Sequence, residues 1–285
     1  MKKILITGKD SYIGTSVEKW LKNSEEKFLI DTVDTRENKW KEIDFSQYQV
    51  VFHVAGIAHA NAKKNQADLY YSVNRDLCIE IAKYAKEKGV RQFIFMSSAI
   101  VYTSSKLEDG RITRSTIPQS KDPYGDSKIQ AEKGLSKLED NDFKVVILRP
   151  PMIYGKGSRG NYPKLAKMAR RIPFFPNYPN KRSMLYIDHL AELIRLIILN
   201  EDSGTFFPQN KEYTQTSQMV KMIANIHDHP LVLIRIFNPL INLFKNVTII
   251  NKVFGNLFYD KELSQYSEGN YQLYSLQETI TLTEN

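Results

Sequence analysis

Cysteine is nearly absent. Cys78 is the only one in 285 residues, so no intrachain disulfide can form and stability must come from a packed core. Its place in a helical pattern suits a small buried hydrophobe in a reducing compartment, and a cytoplasmic protein is expected. Long apolar runs are missing as well. After Met1-Lys2-Lys3 the apolar stretch is only Ile4-Leu5-Ile6, too short for the core of a secretion signal. Nowhere do eighteen uninterrupted apolar residues occur, so no transmembrane helix is expected. There is no basic block either. Lys and Arg number 40 against 32 Asp and Glu, and the resulting +8 favours an anionic partner. Because those cations are scattered along the chain, the expected partner is a phosphate-bearing small molecule rather than nucleic acid. Metal-ligand spacing is also lacking. His53 and His59 have no supporting Cys, Asp or His nearby, and His227 and His229 precede Pro230 in a loop pattern, so no metal is expected.

What is present is an ordinary globular composition, 42% hydrophobic and 25% charged. Short apolar, β-branched runs at Lys3–Thr7, 28–34, 50–54, 93–97 and 145–148 read as buried strands of a parallel sheet. Helical patterns separate them. Over residues 68–88, Leu69, Val73, Leu77, Ile81 and Ala85 recur every four positions, and Gly89 follows as a C-cap. Another helix starts after Pro123 and carries Tyr124, Lys128 and Leu135. Such alternation predicts an α/β fold, a Rossmann-like doubly wound parallel sheet, over residues 1–155. Residues 156–285 loosen into Pro-rich and aromatic segments and are expected to form a smaller C-terminal substrate-binding region. Within them a helix over 188–199 packs back on the first part, and Thr214 or Thr216 caps a further one.

The chemistry begins at Gly8, Ser11, Tyr12, Ile13 and Gly14, which follow the first strand and open a helix. Glycines there allow a tight turn and let the helix N-terminus aim amides at a pyrophosphate. Ser11 stands where a middle glycine is usual. Asp34, 20 residues beyond Gly14, is at the distance where a carboxylate takes ribose hydroxyls, which favours NAD. Arg36 offers a guanidinium fork for the 2′-phosphate of NADP, so both cofactors stay open. Tyr124 and Lys128, four residues apart, share one helix face, and a nearby ammonium stabilises a phenolate. Ser98 follows the fourth strand, at the carboxyl edge where open α/β sheets bind ligands.

With these residues in order, the sequence resembles the extended short-chain dehydrogenase/reductase family, the NAD-dependent epimerases and dehydratases. Further matches are Asp44-Phe45, His53-Val54-Ala55-Gly56, Asn74 and the run from Leu148 to Gly155. The resemblance implies Ser98, Tyr124 and Lys128 as the catalytic triad. Tyr12 and Ile13 would meet the pyrophosphate, and Asp44 and Phe45 would flank adenine. Ala55 and Gly56 would pass beneath the cofactor, Val54 and Asn74 would also bind it, and Pro151 would border the nicotinamide. Ser98, Met152, Asn161 and Arg182 would contact a nucleotide sugar, and similar enzymes form homodimers.

The family's 4,6-dehydratases carry an acidic pair just after the triad hydroxyl residue, whereas Ala99-Ile100 stands here. Hydride transfer at C4 remains, as reduction of a 4-keto sugar or as epimerisation through a transient ketone. Only 15 residues separate Asp34 from Val50, so the helix and strand that many family epimerases insert are missing. That shortness, with likeness to capsule and surface-polysaccharide enzymes, favours a 4-ketoreductase acting on a UDP-linked sugar. The alternatives are a UDP-sugar 4-epimerase and a non-catalytic dinucleotide-binding scaffold or sensor. Residues 231–258 are apolar with interspersed Arg235, Lys245 and Lys252. They are expected to face the core, with peripheral contact on an anionic membrane as the other reading.

Overall fold

The computed structural model describes residues 1–57, 67–245 and 247–285. The chain opens with β1 (Lys3–Thr7), α1 (Tyr12–Lys22), β2 (Leu29–Val33) and β3 (Val50–His53). Between β2 and β3 there are only two short 3-10 turns, Arg36–Glu42 and Phe45–Gln47. The next helical stretch has three pieces: α2 (Ala67–Tyr70), a π-helical turn (Tyr71–Leu77) and α3 (Cys78–Glu87). β4 (Gln92–Met96), a 3-10 turn (Ala99–Tyr102), β5 (Arg111–Ile112), α4 (Pro123–Ser136) and β6 (Lys144–Leu148) complete the first part.

Beyond it come β7 (Met152–Tyr154), α5 (Asn161–Ala169), β8 (Phe174–Pro176), β9 (Met184–Tyr186), α6 (Ile187–Asn200) and β10 (Gly204–Phe206). The chain ends with α7 (Thr216–Ile226), β11 (Val232–Ile234), α8 (Asn238–Leu243), α9 (Thr248–Phe254), β12 (Phe258–Tyr259) and α10 (Leu276–Glu284).

Six strands form one parallel sheet in the order β10-β6-β4-β3-β1-β2. Alternation along each strand feeds two cores. Ile4, Ile6, Val146 and Leu148 join Val17 and Leu21 of α1 and Leu190, Ile194 and Ile197 of α6. Leu5, Val51, Phe93 and Val145 join Ile81 and Ala85 of α3 and Ala131 and Leu135 of α4. Helices thus cover both faces, the doubly wound Rossmann arrangement. Each fully buried Leu or Ile contributes about 1.5–3 kcal/mol, so this interior carries the stability that disulfides do not. Order reverses between β1 and β3, and the carboxyl ends of the strands there open the crevice in which such folds bind ligands. The smaller pairs β7–β9, β8–β11 and β5–β12 lie past those ends in sequence or bridge to them.

Three local expectations are corrected. The face read as Leu69, Val73 and Leu77 is instead Tyr70, Asn74 and Cys78, and Leu69 is 45% exposed. The cause is the π turn, which holds more residues per turn than an α-helix and so shifts the phase of the buried stripe. Neither Thr214 nor Thr216 caps α7. Gln215 precedes it, Thr214 pairs its backbone with Arg182, and Thr216 Oγ1 donates to Val253 O at 2.8 Å. Residues 231–258 do not mainly face the core either: Ile236, Leu243 and Ile249 are 79%, 74% and 73% exposed. Pro239 lies in the first turn of α8, where a missing amide costs nothing, so it starts a helix rather than interrupting one.

Cys78 is fully buried, as its pattern suggested. His53 is fully buried too, with Nδ1 bonded to Thr7 Oγ1 at 2.8 Å, and burial drives it down to about 3 and keeps it neutral. His59 lies outside the described residues. His227 pairs with Glu284 and His229 with Ile172 O. Among the described residues no cluster of His, Cys, Asp or Glu could hold a metal, and no helix is long and apolar enough to cross a membrane.

Candidate active site

The crevice is built from loops that leave the strand ends. After β1 the chain turns at Gly8, whose φ of +96° suits only glycine, and a Cβ there would lie 2.9 Å from Ala55 N. Ser11 replaces the usual middle glycine for a reason visible in the structure. It is the N-cap of α1, its Oγ accepting from Gly14 N at 3.1 Å, and a Cβ on Gly14 would lie 2.6 Å from that Oγ. Tyr12 and Ile13 are the first two helical residues, so their amides have no acceptor within the helix. Tyr12 Oη is buried without a partner among the described residues, and burial beside Asp188 holds its phenol well above the usual value. These unpaired donors around a helix N-terminus fit a dinucleotide pyrophosphate.

At the end of β2 the carboxylate of Asp34 accepts from Arg36 Nη2 at 2.6 Å, Nε at 3.0 Å and the Arg36 amide at 2.9 Å. The two candidate ribose-side groups therefore neutralise each other, and the guanidinium holds the carboxyl down to about 2. Asp44 caps the next 3-10 turn through Ser46 N and Oγ. Phe45 departs from expectation. Its ring is fully buried among Trp40, Tyr48 and Tyr84, while the Asp44 side chain is the more exposed of the two.

Past β3, Val54 N donates to Thr7 O, and Ala55 and Gly56 continue along the crevice floor. A Cβ on Gly56 would sit 2.9 Å from Asn74 Oδ1 and 3.5 Å from Lys128 Nζ. Asn74 is fully buried and already committed. Its Oδ1 accepts from Ile57 N at 2.9 Å, and its Nδ2 donates to Ile57 O and Ser127 Oγ. It therefore fixes this loop against α4, from the buried side of the π turn.

Ser98 lies two residues past β4 as N-cap of the following turn, accepting from Ile100 N at 3.2 Å. Tyr124 begins α4, whose N-cap Asp122 accepts the Tyr124 amide at 2.8 Å. Burial pushes the Tyr124 phenol up to about 12, opposed by its hydrogen bond with Ser98. One turn on, Lys128 is buried, donates to Met96 O at 2.7 Å and lies 4.5 Å over the Phe95 ring. The structure thus brings Ser98, Tyr124, Lys128 and Gly56 together at one strand edge.

Burial lowers Lys128 to about 8 from an ordinary 10.5. Its ammonium is then present below about pH 8 and lost above it. Turnover is expected to fall as pH rises through about 8, measured as a rate profile, while Tyr124 remains protonated. The folding linkage has the opposite slope. The unfolded chain binds the extra proton between about 8 and 10.5, so the cost of burying Lys128, full below 8, fades as pH rises across that window.

Sequence reasoning missed the support behind this edge. Glu132, one turn after Lys128, is 5% exposed and accepts from Ser97 Oγ and, at 2.6 and 3.1 Å, from Arg149, which also donates to Tyr102 Oη. The i, i+4 spacing from Lys128 was the available signal. On the far side Pro151 and Met152 are half-buried, and Asn161 is exposed at the start of α5. Arg182 is mostly enclosed, with Nη1 donating to Gly255 O at 3.1 Å. Desolvation lowers its pKa, and no carboxylate pairs with it among the described residues, which leaves a half-buried cation for an anion.

Residues 4–207 match the model of the "NAD dependent epimerase/dehydratase family". The chain belongs to that family. It is an NAD(P)-dependent enzyme, and the glycine cradle and unpaired donors above fit the cofactor. A UDP-glucose 4-epimerase of Vibrio cholerae is 29% identical over 91% of this chain and 87% of its own length. A UDP-glucuronic acid 4-epimerase from Bacillus cereus, solved with NAD, has a TM-score of 0.73 at 18% identity, covering 99% of this chain and 97% of its own. A dTDP-4-dehydrorhamnose reductase from Bacillus anthracis, solved with NADP, has 0.71 at 14% over 99% and 98%. At such identities the two structures speak for the fold.

Proposed function

We propose that the chain is a 4-ketoreductase of a nucleotide-activated sugar, a UDP-linked 4-keto-6-deoxy-N-acetylhexosamine or related hexose, in bacterial surface polysaccharide synthesis. It works in the cytoplasm as a homodimer paired through exposed faces of α3 and α4. Residues 1–155 hold the dinucleotide and 156–285 supply the substrate side. The observation that carries this reading is the connection between β2 and β3, two 3-10 turns with no added strand or helix. It leaves β2 as the sheet edge and the Asp34–Arg36 pair exposed. A reductase must exchange its dinucleotide at every turnover, and an open adenosine side permits that. An epimerase keeps its cofactor throughout.

When bound, the nicotinamide supplies hydride to C4. Tyr124 donates its phenolic proton to the C4 oxygen, Ser98 hydrogen-bonds that oxygen, and the Lys128 ammonium stabilises the phenolate that results. A phenol protonated throughout the physiological range suits this direction. Gly8, Ser11, Gly14 and the amides of Tyr12 and Ile13 hold the pyrophosphate. Asp34 or Arg36 takes the adenosine ribose or its phosphate, Asp44 borders adenine, and Val54 to Gly56 with Pro151 line the nicotinamide side. Met152, Asn161 and Arg182 contact the nucleotide sugar, Arg182 through the diphosphate.

One observation favours 4-epimerisation instead: a relative that covers 91% of the chain is named a UDP-glucose 4-epimerase. The two readings differ in what copurifies. Protein denatured after gentle purification is expected to release far less than one dinucleotide per chain. Stoichiometric NAD would favour the epimerase.

A further inference from the structure

Carboxylate-free cationic sequence and exposed apolar residues fall on the same two stretches of the chain. Between Gly155 and Ile187 there are eight lysines and arginines and no carboxylate. Residues 231–258 add three more cations, Arg235, Lys245 and Lys252, again with no Asp or Glu. Pairing of β8 with β11 joins the two segments and sets Phe174 beside Val232, which are 57% and 53% exposed. Arg170 and Arg171 precede that pair and Arg235 follows it.

The chain beyond β11 turns its apolar side outward. Leu240 and Leu243 of α8, its C-cap Phe244 and the flanking Ile236 and Val247 are all exposed, from 46% to 79%. Backbone bonds Ile241 N to Phe237 O and Phe244 N to Leu240 O keep the turn helical. The inner side is held by buried Ile241 and two polar ties, Asn238 Nδ2 to Asn177 O at 3.0 Å and Tyr178 Oη to Asn242 Oδ1 at 2.7 Å. Ile249 at the start of α9 continues the patch at 73% exposed. A soluble surface would reverse this polarity.

We infer that the surface formed by α8, the start of α9 and the β8–β11 edge docks on an anionic lipid bilayer, its apolar residues entering the acyl boundary and its cations meeting lipid phosphates. Charge complementarity chooses this occupant. A second copy of the chain would set Arg170, Arg171, Arg235, Lys245 and Lys252 against the same cations across a symmetric contact, whereas an anionic leaflet attracts all of them. The inference does not depend on whether the sugar is reduced or epimerised.

The test is cosedimentation of the full chain with vesicles of phosphatidylglycerol and phosphatidylethanolamine, beside vesicles of phosphatidylcholine alone. Binding is expected to the first and not to the second, and to weaken with added salt. L243S/F244S should lower vesicle affinity by at least about tenfold, from the apolar area withdrawn. K245E/K252E should lower it about fivefold or more per charge. Both variants alter exposed side chains, so thermal midpoint and turnover in solution should stay as in the parent. Failure to bind anionic vesicles at low salt overturns the inference. So does binding that both variants leave intact. A solution oligomer that L243S/F244S dissociates, without vesicle binding, would assign the surface to a second copy.

Discussion

Tyr124→Phe is expected to reduce turnover by about a thousandfold while leaving the fold intact, since a positioned proton donor contributes roughly 10²–10⁴. The ring keeps its packing, 5.8 Å from the Tyr70 ring, and the Tyr124 amide still bonds Asp122. Only the phenolic oxygen that meets Ser98 is removed. Dinucleotide affinity should change far less than the rate, because the cradle at Gly8, Gly14 and Gly56 is untouched. Steady-state rates with a fluorescence titration of reduced cofactor separate the two. Unchanged turnover would take Tyr124 out of the chemistry, whereas no turnover in the parent and an unchanged phenotype in a Tyr124→Phe strain would favour the scaffold or sensor reading.

The second large effect falls on stability. Glu132→Ala removes the carboxylate that pairs with Arg149, whose side chain is 14% exposed, and that accepts from Ser97 Oγ. A buried guanidinium left unpaired costs about 3–5 kcal/mol, which for a chain of this size lowers the thermal midpoint by roughly 10 °C. The comparison that isolates the pair is Glu132→Leu with Arg149→Met. Replacing both charges by apolar groups should restore most of the loss, as measured by thermal unfolding, because neither charge is then stranded. If Glu132→Ala unfolds at the parental temperature, the network does not hold the β4 edge and Ser98 is positioned by other contacts.

The sequence made the central sheet and the meeting of Ser98, Tyr124 and Lys128 legible for a physical reason. Parallel strands covered on both faces are continuous apolar runs, and a tyrosine four residues before a lysine shares a helix face wherever that helix packs. What escaped depended on three-dimensional phase. The π turn at Tyr71–Leu77 has no periodicity of its own, so spacing does not show that Asn74 braces Ile57. Phe45 lies beside Asp44 in sequence, yet the tight turn between β2 and β3 sends its ring into an aromatic cluster. Glu132 and Arg149 are 17 residues apart and come together only where α4 packs back against β6. The outward apolar face of α8 obeys helical spacing, and spacing alone does not say which side faces water.

The most direct test of the account is a paired assay on one preparation. The purified chain is incubated with NADPH or NADH and a UDP-4-keto-6-deoxy-N-acetylhexosamine, and separately with UDP-glucose and UDP-N-acetylglucosamine without added cofactor. The expected result is stoichiometric oxidation of reduced dinucleotide with formation of the C4 alcohol in the first, abolished by Tyr124→Phe, and no change in the second. Interconversion of the UDP-hexoses at C4 without added cofactor, with no dinucleotide consumed on the keto sugar, would contradict it and make the chain an epimerase.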